Sequence, residues 1–274
     1  MTQRASASPT GTSGEATSGI ASPPGNSVPA TSSADAAGTA TAAASSAGLD
    51  GPLRAAFSRT SYGVAVLDLT TGVSYGYRAD KLYTTMSTIK VAILMTLLDN
   101  CQDQGRELTS TERVLADRMI RRSDNAATNQ LFTRAGGADA VQAYLNQLGL
   151  GHTTVSKSWW GGSQTTPNDQ ILLLRHLVTD GSGLSASNRD YVLELMGTVI
   201  STQRWGVGKG SPGMTTAQKN GWGPQGSRYI ANSIGWVRDD DSSYLIAIFG
   251  TGTSFSNGQA LATSAAKIAL QYLD

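Results

Sequence analysis

The rhythm of hydrophobic and polar positions divides the chain into strand-forming ends and a helical middle. Residues 62–69 predict a strand, Thr70-Thr71-Gly72 a turn, and residues 73–77 a second strand paired back as a hairpin. A short helix is expected before them, from near Leu49 to Phe57. The run Ile89-Lys90-Val91-Ala92-Ile93-Leu94-Met95 opens a buried helix that ends near Gly105. Two or three helices fit residues 111–148, with Gly136-Gly137 between two of them. Thr166-Pro167-Asn168-Asp169 has the chemistry of a capped helix start, with the helix running to about 178, and residues 188–199 read as another helix. Strands return at 215–219, 229–237 and 244–250, and a last helix covers 258–273. Strands, then helices, then strands argue an α+β fold. The terminal segments are expected to form one antiparallel sheet against a mostly helical lobe, with a site in the cleft between them.

Residues 1–48 depart from both rhythms. They are Ala, Ser, Thr, Gly and Pro with almost no large apolar residue, a composition too poor in buriable surface to offset the cost of ordering. They are expected to be a disordered spacer, leaving residues 49–274 as the folded domain. Such spacers often follow the signal or lipid-anchor segment of exported bacterial proteins, so a secreted or cell-envelope location is expected, although the first residues lack a signal-peptide apolar stretch. The net charge of +1, without a basic block, argues against a nucleic-acid partner. One cysteine, Cys101, and two histidines, His152 and His176, do not make a typical zinc site. No metal or organic cofactor is implied. No apolar run reaches membrane-spanning length, and a monomer is expected.

Three short motifs carry the candidate chemistry. Ser87 and Lys90 are three apart at a helix entry, which puts both side chains on one face, about a turn from each other. A serine is a poor nucleophile until a base takes its proton, and a lysine kept neutral by burial could take it. Ser123-Asp124-Asn125 alone would be a cap or turn, and Lys219-Asn220-Gly221 alone a turn.

In this order the motifs resemble the Ser-x-x-Lys, Ser-Asp-Asn and Lys-Thr-Gly signature of class A β-lactamases and penicillin-binding proteins, with Asn220 in the threonine position. The resemblance covers about residues 50–274. It implies an enzyme of the serine β-lactamase and penicillin-binding fold that is acylated at Ser87, with Lys90 taking the proton and Ser123 and Lys219 completing the catalytic set. It further implies an oxyanion hole from the backbone N–H groups of Ser87 and Trp222, and substrate contacts from Asn125, Asn220, Gly221 and Arg228. Arg228, nine residues after Lys219, would hold a substrate carboxylate. The Trp222 indole would either line the pocket or pack on the sheet.

One departure from the family pattern is plain. Class A β-lactamases carry a loop glutamate that activates the water releasing the acyl group, yet residues 150–168 contain no Asp or Glu. Asp169 reads as a helix-start residue, and Gln164 cannot take a proton. Three readings stay open. They are a β-lactamase-related hydrolase with atypical deacylation, a D,D-peptidase or acyltransferase on cell-wall peptides, and a retired frame that only binds. The expected partner is a small amide, a β-lactam or a peptidoglycan-like peptide. Trp159 and Trp160 would either bind a flat ligand or pin their loop, and the segment 203–206 would shape the cleft rim or serve as a connector.

Overall fold

The computed structural model describes residues 47–58 and 60–272, so the spacer expected for residues 1–48 lies, but for its last two residues, outside the described residues. Chain order begins with α1 (Ala47–Phe57), β1 (Gly63–Asp68), β2 (Ser74–Tyr77) and the two-residue strand β3 (Tyr83–Thr84). A 3-10 turn, Met86–Ile89, then leads into α2 (Lys90–Asp103). The helical lobe continues with α3 (Ser110–Arg121), α4 (Asn125–Arg134) and α5 (Gly137–Gln147). A second 3-10 turn (Trp160–Gly162) and β4 (Gln164–Thr165) precede α6 (Pro167–Val178) and α7 (Ala186–Gly197). The short α8 (Val207–Gly210) leads to β5 (Thr215–Gln225), β6 (Arg228–Arg238), β7 (Ser243–Phe249), β8 (Thr251–Gly252) and α9 (Phe255–Gln271).

The main sheet is antiparallel, in the order β2-β1-β7-β6-β5, with β8 added to β6; β3 and β4 pair separately. The amino-terminal hairpin is therefore completed by the carboxy-terminal strands, as the order of elements in the sequence implies. The central strand β7 shows why the sheet has two covered faces. Leu245, Ala247 and Phe249 join the core that contains α2 and the helical lobe, while Tyr244, Ile246 and Ile248 join the core built with α1 and α9. Period-two alternation sends each set to its own side, so the strand is apolar throughout. Helix α2 is buried from Lys90 to Leu98, which makes it the axis of the lobe.

Side-chain caps fix most helix entries. Thr109 and Glu112 form a reciprocal capping box at α3. Asp124 caps α4, Thr166 with Pro167 at the first turn caps α6, and Ser185 and Ser254 cap α7 and α9. These two serines start α7 and α9 a few residues earlier than the hydrophobic pattern alone predicts. Strand β5 also runs six residues beyond Lys219, to Gln225. No helix among the described residues is long and apolar enough to cross a membrane.

Candidate active site

Ser87 sits in the 3-10 turn, not in the α-helix proper, which begins at Lys90. The residue before it, Met86, holds φ at 50°, a left-handed conformation uncommon for a side chain of its size. Two anchors hold this turn. The Asn232 amide donates to the carbonyls of Thr84 (2.8 Å) and Thr85 (3.2 Å), and the Thr85 N–H donates to Ser163 O at 2.8 Å. Gly221 then lies against the turn so closely that a Cβ would come within 2.6 Å of Thr85 O and 2.8 Å of Ser87 N. Only glycine lets β5 approach the serine backbone in this way. The arrangement brings the amide of Ser87 beside the strand that carries the amide of Trp222.

Lys90 and Lys219 meet on the turn between α3 and α4. Lys90 Nζ donates to Ser123 O (2.7 Å) and Asn125 Oδ1 (2.8 Å) and contacts Ser123 Oγ at 3.1 Å. Lys219 Nζ reaches the same Oγ at 3.0 Å and donates to Asn220 O at 3.0 Å. The turn is held in a costly shape, with Ser123 at φ 57°. Asp124 stabilises it by accepting from Ala127 N at 2.9 Å and by pairing with Arg118.

Both lysines are fully buried. Burial lowers the Lys90 ammonium to about 7, against the opposing pull of the Asp124 carboxylate. Burial, and then the neighbouring Lys90, push Lys219 well below the usual lysine range. The hydrogen bonds suit either protonation state of Lys90. Two of its contacts, Ser123 O and Asn125 Oδ1, only accept. The third, Ser123 Oγ, can accept from an ammonium or donate to an amine lone pair.

Ser87, Lys90, Ser123, Asn125, Lys219 and Gly221 thus border one place, reached by three separate stretches of chain. Three other residues singled out in the sequence are placed differently. Asn220 turns to the opposite face of β5, where its amide donates to Gln203 O (2.7 Å) and Trp205 O (3.1 Å) and accepts from Ser233 Oγ (2.7 Å). Adjacent strand residues face opposite ways, so Lys219 and Asn220 cannot both point toward Ser123. The Trp222 indole goes the same way as Asn220 and packs on Phe255, ring centroids 6.0 Å apart, and edge-on to Trp205. Arg228 sits at the hairpin tip opposite Gln225, with its guanidinium on the hydroxyl (2.8 Å) and carbonyl (3.1 Å) of Thr251. Lys219 pairs with Ile234, six residues further along β6, which is roughly 20 Å at strand rise. The structure does not bring Arg228 to the cluster.

The profile of the β-lactamase enzyme family matches residues 51–115 and 101–273, most of the folded chain. The chain belongs to that family. A 129-residue stretch is 30% identical to β-lactamase ROB-1 of Haemophilus influenzae, covering 39% of this chain and 42% of that protein. The chain thus spans less than half the length of that relative. A β-lactamase of Streptomyces cellulosae is 26% identical over 226 residues, 68% of this chain and 71% of its own. Among solved structures, the ancestral Gram-negative class A β-lactamase GNCA4 superposes with a TM-score of 0.72 at 24% identity, covering 83% of this chain and 100% of that one. A mutant of PBP-A, an acyl-enzyme complex with penicillin G, gives 0.71 at 23%, covering 82% and 96%. These structural likenesses establish the class A β-lactamase fold.

In this β-lactamase-family chain the segment before α6 is filled by aromatic and small residues. Trp160 is buried, its ring centroid lies 4.7 Å from Lys90 Nζ, and its indole N–H donates to Asn129 Oδ1 at 2.8 Å. Trp159 packs outside it and stays half exposed. Gln164 is engaged with Thr84 Oγ1 (3.0 Å) and Gly162 O (3.2 Å). Asp169, the nearest acid in sequence, lies in the first turn of α6 and is occupied by the loop at 152–153. Its Oδ2 accepts from the His152 N–H (2.9 Å) and the Thr153 hydroxyl (2.6 Å). Sequence reasoning missed Asn232 altogether and left Trp160 between loop pin and ligand contact. The only signal for Trp160 was a Trp-Trp-Gly-Gly run in a segment without charge after Lys157.

Proposed function

We propose that this chain is a serine hydrolase or acyltransferase that is acylated at Ser87 by a β-lactam or a related amide and releases the acyl group slowly. The observation that carries the reading is the shared Ser123 hydroxyl, contacted by two buried lysines beside a serine whose backbone faces a glycine strand. Ser87 Oγ attacks the carbonyl carbon and its proton passes to the neutral Lys90 amine. The oxyanion is stabilised by the N–H groups of Ser87 and Trp222. The C–N bond then breaks, and the nitrogen takes its proton from Ser123, which is replenished from the lysines. Asn125 holds the substrate amide while also fixing Lys90.

Release of the acyl group to water has no evident base. Residues 150–168 hold no carboxylate, and Asp169 is tied to His152 and Thr153. General-base catalysis typically contributes ~10²–10⁴-fold, so hydrolysis without it leaves a long-lived ester. The same feature favours the second reading, transfer to an amine of a cell-wall peptide, in which the acceptor brings its own nucleophile. The test is covalent labelling by an activated acyl donor. Wild-type protein is labelled at Ser87 and Ser87→Ala is not; labelling that survives in the variant places the nucleophile elsewhere.

A further inference from the structure

Beyond this reading, and resting on it for the role of Lys90, we propose that Trp160 is a positioning residue that sets the protonation state of Lys90. Its ring covers the amine at 4.7 Å and is itself fixed by Asn129 on α4, the helix whose first residue, Asn125, holds the same amine. Trp159 backs the ring from outside at 5.7 Å. Gly161 is needed for that packing, since a Cβ there would come within 2.4 Å of the Trp159 ring. The unit is built to hold an aromatic face against Lys90.

The charged groups around Lys90 are few. The α3–α4 turn presents Asp124, already paired with Arg118, and β5 presents Lys219. Residues 158–168, which carry Trp160, contribute no charge. Trp160 therefore acts on Lys90 in two opposed ways. As a dry wall it disfavours the ammonium, and as a π face it favours it. Separating the two gives opposite signs. Trp160→Leu keeps the wall and removes the π face, so Lys90 loses its proton at a lower pH. Trp160→Ala removes both and admits water, so Lys90 keeps its proton to a higher pH. Trp160→Phe keeps both and loses only the bond to Asn129.

The experiment titrates the full-length wild type and the three variants by NMR with carbon-13 at lysine Cε. The Lys90 signal is identified by its loss in Lys90→Met, and acylation rates with penicillin G are measured in parallel. The expected result is a midpoint lowered by roughly half a unit to one unit in Trp160→Leu. Trp160→Ala should raise it by about a unit or more, and Trp160→Phe should stay near wild type. Shifts of Leu and Ala in the same direction, or no shift, overturn the proposal. Should Trp160→Ala not fold, the comparison of Leu with Phe decides, and equal midpoints overturn it. Absence of acylation in the wild type would sink the functional reading, while the NMR midpoints would still judge Trp160.

Discussion

A lysine can serve as a base near neutral pH only where the fold makes its charge costly, and Lys90 meets that condition through burial. Because the amine must be neutral to accept the Ser87 proton, acylation should rise as pH rises through about 7, where Lys90 loses its proton. Acylation rates with penicillin G between pH 5.5 and 8.5 check this, and a flat profile counts against Lys90 as the acceptor. Gly221 supplies a second residue-scale prediction. A Cβ there meets Thr85 O at 2.6 Å and Ser87 N at 2.8 Å, so Gly221→Ala pushes the strand off the oxyanion position. Acylation should slow by about 10²-fold or more, the scale of losing one oxyanion donor. A wild-type rate in the variant would remove Gly221 from the site's geometry. At this scale chemistry and spacing pick out Ser87, Lys90, Ser123 and Asn125, and the structure puts the last two in hydrogen-bond contact with Lys90. Spacing is a poorer guide to direction. Lys219 and Asn220 are neighbours on a strand, and only one of them can face Ser123. The nine-residue step to Arg228 is consumed by β5 running on to Gln225, so Arg228 pairs at the hairpin tip.

Among the elements, the turn between α3 and α4 contributes most to the site, because Ser123 and Asn125 both leave it and both touch Lys90. Its position depends on α3, which starts in the Thr109–Glu112 capping box and ends beside Arg118, the partner of Asp124. Thr109→Ala should cost about 1 kcal/mol of folding stability, with acylation of the folded protein unchanged, since the cap lies at the far end of the helix. Urea denaturation and the labelling rate together check it; a loss of rate without loss of stability would mean that α3 transmits strain to the turn. Helix starts marked by Thr166-Pro167 were readable because the capping chemistry is local. The two-residue strands β3 and β4 were not. They are too short for a periodic signal and exist because Tyr83 and Thr84 pair with Thr165 and Gln164 from across the chain.

The described domain, residues 47–272, is an open sheet built from its two ends, with the helical lobe inserted between β2 and β5 in sequence and packed on one face. That topology was legible because strands at both ends and helices in the middle leave few ways to cover a two-faced sheet. It also brings β5, the 3-10 turn of Ser87 and the lobe's Ser123 turn together at one seam, where the proposed acylation would take place. On the loop side the seam is walled by Trp160, whose ring centroid lies 4.7 Å from Lys90 Nζ, in a segment that holds no carboxylate from residue 150 to 168. The proposed function therefore requires that acylation proceeds and hydrolysis lags. Its most direct measurement is a time course of intact mass after mixing the protein with penicillin G, followed by peptide mapping. The expected result is an adduct on the peptide containing Ser87 that persists after excess penicillin is removed. Rapid turnover with no lasting adduct, or an adduct on another residue, would contradict it.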